Sequence, residues 1–91
     1  MSYNGWSNYE TWRVNLEMVD GMSLEDFGFD GTETVHAKHL GEMIREHCED
    51  IVVHQVDGLS PRLGVDIVMS FLGMVDWTEI ATHLIDNYIP A

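Results

Sequence analysis

The amino-acid sequence predicts an all-α protein, a compact bundle of about four helices. Apolar residues recur at spacings of three and four in four separate segments, as they do along the buried face of a helix. Capping residues, glycines and prolines mark the ends of these segments. Residues 52–56 alternate like a strand, but no second convincing strand can pair with them, so we assign them to a helix end and a linker. We expect one domain, 1–91.

The first helix is predicted over residues 9–19 and is closed by Gly21 in a left-handed turn. Ser7 is the expected N-cap, and Glu10 three residues later completes a capping box. Trp6 precedes the cap and lacks an apolar staple partner one turn into the helix, so its ring is expected to pack across the fold. The apolar stripe of this helix is expected to anchor it in the core. It consists of Tyr9, Trp12, Leu16 and Val19.

An acidic loop separates the first helix from the second. Its glycines and alternating Phe and Asp residues over positions 22–31 indicate irregular backbone, with one helical turn beginning at Ser23. The second helix is predicted over residues 33–53, with Thr32 as its cap. Its apolar face is formed by Leu40, Ile44, His47, Cys48 and Ile51.

Two clear start signals precede the remaining helices. Ser60 followed by Pro61 predicts a third helix over residues 61–72, because proline suits the first helical position. Asp76, with Glu79 three residues later, predicts a second capping box at the start of the last helix. The apolar face of that helix is formed by Trp77, Ile80, Ala81, Leu84, Ile85 and Tyr88.

Charge is the most unusual feature of the composition. Sixteen acidic residues against four basic ones give a formal net charge of −12. Such a chain repels nucleic acid and anionic membranes and attracts basic protein surfaces, so we expect neither direct nucleic-acid binding nor membrane binding. The single cysteine, Cys48, has no partner for an internal disulfide. With no signal-like or membrane-spanning segment, this favours the cytoplasm of the host bacterial cell.

The candidate partner-binding residues are acidic side chains of the second helix and of the loop before it. Three glutamates share one face of the predicted helix, and only Lys38 and Arg45 lie near enough to neutralise them. Glutamates one turn apart have Cβ atoms about 5–6 Å from each other, which lets their carboxylates approach the spacing of phosphates along a strand. The alternative is an ordinary solvated helix face. The candidates are Glu42, Glu46, Glu49 and Asp50 on the helix, and Glu25, Asp26 and Asp30 in the loop.

The sequence contains no recognisable catalytic, metal or cofactor motif. His36, His39 and His47 do not have the spacing of a zinc site, and no glycine-rich phosphate loop or calcium loop is present. Cys48 falls on an apolar face among acidic residues that raise a thiol pKa, which disfavours a nucleophile. We therefore expect no metal, no cofactor and no enzymatic activity.

Two segments of the chain resemble a group of short, uncharacterised proteins that are common in phage and mobile-element genomes. The first segment is Asn4-Gly5-Trp6-Ser7-Asn8-Tyr9-Glu10-Thr11-Trp12, continued by Val14-Asn15-Leu16. The second, which is less specific, is Val75-Asp76-Trp77-Thr78-Glu79-Ile80-Ala81-Thr82-His83-Leu84. Together they cover about a quarter of the chain. Glu17 departs from the group, which usually has a second tryptophan there. The resemblance implies a mobile-element origin and carries no catalytic residues over.

Two classes of function fit these features. In the first, the protein is an anti-defence inhibitor of the anti-CRISPR or antirestriction kind. It occupies a basic nucleic-acid-binding surface on a host defence protein or ribonucleoprotein, by mimicry of nucleic acid or by steric block. In the second, it is a non-enzymatic phage or plasmid interaction module that binds another protein through Trp6, Trp12 or Trp77. A monomer or a small homodimer is expected in either case.

Overall fold

The computed structural model describes residues 3–30, 33–55 and 61–88. For Gln55 and residues 61–65 it describes the backbone only. Within these ranges it is all-α, as predicted. Its helices are α1 (Tyr9–Val14), α2 (Ala37–Gln55), α3 (Pro61–Leu72) and α4 (Trp77–Asp86). None of the helices in the described part of the chain is long and apolar enough to cross a membrane.

Helix α1 continues directly into a π-helical turn, Asn15–Val19, so the predicted helical run of residues 9–19 is confirmed. The wider turn is closed by the N–H of Asp20, which donates to the carbonyl of Asn15 at 2.7 Å. Gly21 follows with φ +88°, the left-handed conformation that the sequence predicted for the end of the helix. The extra residue in the π turn brings Val19 into the core, where it is 1% exposed.

The predicted N-cap of α1 is wrong by one residue. Asn8 is the cap, and its Oδ1 accepts the N–H of Thr11 at 2.9 Å. Asparagine caps helices as well as serine does, and the spacing of three to Thr11 is equally suitable. Ser7 forms no capping box with Glu10, because the Ser7 N–H donates instead to Oε1 of Glu79 at 2.9 Å.

The predicted apolar stripe of α1 is also out of phase with its buried face. Thr11 and Val14 are the buried residues, whereas Tyr9 is 41% and Leu16 46% exposed. The physical reason is the hydroxyl of Thr11, which has two hydrogen-bond partners in the interior and fixes the rotation of the helix. Trp12 is consequently half-buried, and its ring contacts those of Tyr3 and Tyr9.

Helix α2 begins at Ala37, four residues after the predicted start at residue 33. The first intrahelical acceptor is the carbonyl of His36, which receives the N–H of Leu40 at 2.9 Å. The β-branched residues Thr34 and Val35 disfavour an earlier start. The predicted cap Thr32 lies outside the described residues, as does the predicted cap Ser60 of α3. The bounds of α3 agree with the prediction, and residues 52–55 are helical.

The core is centred on the contact between α2 and α4. Gly41 makes this contact close, because a Cβ atom there would lie 2.9 Å from both the carbonyl carbon and the carbonyl oxygen of Trp77. Both atoms belong to the backbone and cannot rotate away. The fully buried side chains at the contact are Leu40, Ile44 and Cys48 of α2, and Ile80 and Ala81 of α4.

Hydrogen bonds join the start of α1 to the start of α4. Asp76 caps α4 as predicted, with its Oδ1 accepting the N–H of Glu79 at 3.0 Å. The predicted capping box also requires the Asp76 N–H to donate to the Glu79 carboxylate. In the structure this N–H donates instead to Oγ1 of Thr11, at 2.8 Å. The Glu79 carboxylate is thereby free to accept the Ser7 N–H. A further bond runs from Nδ2 of Asn8 to the carbonyl of Met74 at 2.8 Å.

Candidate partner-binding surfaces

The outward face of α2 carries three exposed acidic side chains, Glu42, Glu46 and Asp50, which we call the α2 acidic face. They are spaced by four residues, so each step along the helix axis is about 6 Å. Within the part of the chain that the structure describes, neither Glu42 nor Glu46 forms a hydrogen bond or an ion pair. Oδ1 of Asp50 lies 3.6 Å from Nδ1 of His54, which neutralises the carboxylate only when the imidazole is protonated. The face therefore presents two carboxylates, those of Glu42 and Glu46, that are not held by an ion pair within the described residues.

The fourth candidate on this helix, Glu49, has a different environment. Its Oε1 accepts a charge-assisted hydrogen bond of 2.6 Å from Nε of Arg45. The side chain of Glu49 is only 26% exposed. Because its charge is paired, Glu49 contributes less than its neighbours to the outward field of α2.

The loop candidates all have partners within the fold. Asp26 accepts the N–H of Ser23 at 2.7 Å in a capping box that opens a short 3₁₀ turn, Leu24–Phe27, where the sequence predicted a helical turn. Glu25 accepts a hydrogen bond of 3.1 Å from the hydroxyl of Tyr88. The N–H of Asp30 donates to Oε2 of Glu33 at 3.2 Å.

The carboxylates of the loop act together on Tyr88, at the end of α4. Partial burial of the ring, its hydrogen bond to Glu25, and the negative charges of Glu25, Asp30 and Glu33 all raise the pKa of Tyr88. The loop acids thus generate a negative potential at this end of the bundle.

A cleft of about 600 Å³ opens beside Tyr88, between the end of the π turn, the loop and the last turn of α4. We call it the Trp6 cleft, because the indole of Trp6 forms part of its wall. That ring stacks on the imidazole of His83, with centroids 4.1 Å apart and planes 29° from parallel. Trp6 thus packs across the fold, as predicted. The cleft is lined by Trp6, Asn15, Val19, Asp20, Gly21, Met22, Ser23, Glu25, His83, Leu84, Asn87 and Tyr88.

The Trp6 cleft is negatively charged. Asp20 and Glu25 both line it, and no Lys or Arg is found among the described residues of its wall. The π turn and α4 both end there, at Val19 and Asp86, and the carbonyl ends of helices carry partial negative charge. In the sequence, only Trp6 pointed to this site, because it lacked an apolar partner in its own helix and was expected to pack across the fold. The other lining residues come from three separate segments, and no local sequence pattern predicts that they meet.

A second surface is aromatic. Tyr3, Tyr9 and Trp12 form a cluster with ring centroids 4.9–5.8 Å apart, and Phe71 of α3 contacts Tyr9 at 6.4 Å. Tyr3 is 40% exposed, and Tyr9 is exposed to a similar extent. Trp77, by contrast, is 9% exposed and buried in the core, so it is excluded as an anchor for a partner.

Cys48 and His47 are neighbours on α2 but lie in different environments. Cys48 is fully buried, and burial together with the charge of Glu49 raises the pKa of its thiol to about 11, which disfavours the nucleophilic thiolate. The assignment of His47 to the apolar face of α2 is wrong, because its side chain is exposed and meets the ring of Phe27 edge-on at 5.8 Å. Among the described residues, no three His, Cys, Asp or Glu side chains are grouped in a way that could hold a metal ion.

The fold and its surfaces define a small acidic all-α protein with a negative cleft and an exposed aromatic cluster. The chain belongs to a family of unknown function, DUF7249, whose model matches residues 1–88. No curated protein and no solved structure matches it.

Proposed function

We propose that the protein is a small anti-defence inhibitor that binds a basic nucleic-acid-binding surface of a host CRISPR or restriction protein. It acts without catalysis, by occupying the groove that nucleic acid would otherwise enter. The resemblance of its two terminal segments to phage and mobile-element proteins supports a setting in which host defences are the relevant targets.

The observation that carries the proposal is the α2 acidic face. Glu42, Glu46 and Asp50 are exposed in a row on a rigid helix. Steps of about 6 Å along the axis compare with one phosphate per about 3.4 Å along one strand of a duplex. The helix therefore offers roughly half the linear charge density of a single strand. Such a row of carboxylates is complementary in charge to a basic groove, which the helix would also fill sterically.

The net charge reinforces this local feature. Of the four basic residues, Arg13 and Arg45 are committed to ion pairs with Glu17 at 3.2 Å and Glu49 at 2.6 Å. The net charge of −12 makes the long-range field strongly negative, and this field steers the protein toward basic partners.

The direct test is an infection assay in bacterial strains that carry an active CRISPR or restriction system. Cells expressing the wild-type protein are expected to show restored phage plating. The variant Glu42→Gln/Glu46→Gln/Asp50→Asn is expected to lose that restoration. The matched control, Glu17→Gln/Asp66→Asn/Asp86→Asn, removes the same number of charges elsewhere and should retain it. Equal plating with the two variants would reject the α2 acidic face as the binding surface, and no restoration by the wild type in any strain would reject the anti-defence function.

A second candidate function is favoured by the aromatic cluster of Tyr3, Tyr9 and Trp12. Exposed tyrosine and tryptophan rings are typical anchors of protein interfaces. In this alternative the protein is an interaction module for another phage or plasmid protein. Salt distinguishes the two functions once a partner is found, because affinity through the α2 acidic face should fall steeply between 50 and about 200 mM salt. An interface anchored by the aromatic cluster should change little over the same range.

A further inference from the structure

The Trp6 cleft combines two features that recognise organic cations. The first is aromatic surface: Trp6 and Tyr88 both contribute rings to its wall. Cations are attracted to the negative faces of such rings, and tryptophan gives the strongest attraction. The volume of about 600 Å³ is within the range of ligand-binding pockets, about 300–1,000 Å³.

The second feature is negative charge in the wall of the cleft, from Asp20 and Glu25. Asp20 follows the π turn directly, and Glu25 lies on the 3₁₀ turn, where the hydroxyl of Tyr88 holds its carboxylate at 3.1 Å. Asp30 and Glu33 add to the negative potential around Tyr88. The carboxylates of Asp20 and Glu25 would repel an anion from this cleft, and a neutral apolar group would leave them without a counter-charge.

We propose that the Trp6 cleft binds the guanidinium group of an arginine side chain presented by a partner protein. A guanidinium is planar, stacks on tryptophan and donates up to five hydrogen bonds in a fixed fork, which suits one aromatic wall and two carboxylates. An ammonium group has only a compact charge and uses the flat indole less well.

This site is separate from the α2 acidic face, because none of the three residues of that face lines the cleft. The inference therefore goes beyond the proposed function and does not require it. A cleft that binds guanidinium would stand even if the protein did not inhibit a defence system.

The test is a titration of the ¹⁵N-labelled protein followed by the indole N–H signal of Trp6 in NMR spectra. The probes are the capped peptide acetyl-Gly-Arg-Gly-amide, the same peptide with citrulline, which is a neutral analogue of nearly the same shape, and propylguanidine, a free guanidinium compound with the same single positive charge as the arginine peptide. The arginine peptide is expected to shift the Trp6 signal saturably. The citrulline peptide is expected to bind at least about tenfold more weakly, since it lacks the charge.

Two variants with equal changes in net charge locate the site. Asp20→Asn/Glu25→Gln is expected to weaken binding of the arginine peptide about 5- to 30-fold. Glu42→Gln/Glu46→Gln, on the α2 acidic face, is expected to leave it unchanged. Signal dispersion in the same spectra verifies that each variant is folded.

The possible results decide the proposal. Equal binding of the arginine and citrulline peptides, equal weakening by the two double variants, or no saturable shift of Trp6 with any probe would each overturn it. If propylguanidine binds more tightly than the arginine peptide, the cleft is a cation site but its ligand is a small free guanidinium compound, and the assignment to a partner protein is wrong.

Discussion

The hydroxyl of Thr11 accepts a hydrogen bond of 2.8 Å from the backbone N–H of Asp76, 65 residues further along the chain. The same hydroxyl donates to Oδ1 of Asn8 at 2.6 Å, so both of its hydrogen-bonding roles are used in a site that is fully buried. Thr11 therefore links Asn8, the N-cap of α1, to Asp76, the N-cap of α4. The segment around the start of α1 and the segment around the start of α4 meet here, which gives Asn8, Thr11 and Asp76 a structural role.

Thr11→Val is expected to destabilise the fold. Valine has nearly the same shape but leaves the Asp76 N–H without its acceptor in a partly buried position, at a cost of about 1–3 kcal/mol in the free energy of unfolding. For a domain of this size, each kcal/mol lowers the melting temperature by about 4–8 °C. Urea and thermal unfolding measure both quantities.

Two control variants separate the hydroxyl from other effects. Thr11→Ser keeps the hydroxyl and should retain most of the stability that Thr11→Val loses. Thr82→Val removes an exposed hydroxyl that only bonds the carbonyl of Thr78 within its own helix, and it should be nearly neutral. If Thr11→Val were as stable as the wild type, the connection between the two caps would not matter for stability.

Local sequence patterns predicted where the helices begin and end better than they predicted which face of a helix is buried or which segments it contacts. The bounds of α3 and the start of α4 follow from strong local signals, namely Pro61 at a first helical position and Asp76 at a cap. The inward face of α1 could not be predicted in the same way. It depends on Thr11, a polar residue that can be buried only because Asp76 supplies a partner from a distant segment.

The same distinction applies to the candidate site, where some features follow from helical periodicity and others from long-range contacts. Glu42 and Glu46 share an exposed face because helical periodicity alone places them there. Glu49 has nearly the same phase, but its pairing with Arg45 depends on side-chain conformation. The Trp6 cleft depends on how the two ends of the chain meet, so the contributions of Asp20 and His83 were not visible in the sequence.

Gly41→Ala is expected to destabilise the protein even though alanine is the better helix former. The helix propensity gain is about 1 kcal/mol, but the new methyl group would lie 2.9 Å from backbone atoms of Trp77 and would push α2 and α4 apart. Overpacking of this kind costs about 1–3 kcal/mol, and more where backbone must move. Gly73→Ala is the control, because a Cβ atom there meets only ordinary contacts at 3.4 Å. Urea unfolding should rank Gly41→Ala clearly below both Gly73→Ala and the wild type.

Cys48 is expected to make stability depend on pH in the alkaline range. The folded state raises the thiol pKa from 9.0 to about 11, first through burial and then through the charge of Glu49. Below pH 9 both states keep the proton and the contribution is constant. As pH rises from 9 through 11, the unfolded chain loses its proton first, so the free energy of unfolding falls.

The measurement is a comparison of the wild type with Cys48→Ala at pH 8, 9 and 10.5. Alanine leaves a cavity and should lower stability at pH 8. The difference between the two proteins should narrow as pH rises, because only the wild type has the thiol to ionise. The contribution of Tyr88 is present in both proteins and cancels. A difference that stays constant with pH would contradict a raised pKa for Cys48.

The α2 acidic face is expected to reduce stability at low ionic strength. Like charges four residues apart on a helix destabilise it by about 0.2–0.5 kcal/mol per pair, and Glu42, Glu46 and Asp50 form two such pairs. The face spans about 12 Å along the helix axis. The Debye length is about 30 Å at 0.01 M salt and about 8 Å at 0.15 M, so the repulsion acts across the whole face only at low salt. The variant Glu42→Gln/Glu46→Gln/Asp50→Asn should therefore have a higher melting temperature than the wild type at 0.01 M salt, and the difference in melting temperature should shrink at 0.15 M.

The control variant Glu17→Gln/Asp66→Asn/Asp86→Asn removes the same number of charges. It loses the ion pair of Glu17 with Arg13, so its melting temperature should rise less. If the two variants gained equally at low salt, the repulsion would belong to the net charge of the whole chain, and the α2 acidic face would have no special concentration of charge to offer a partner.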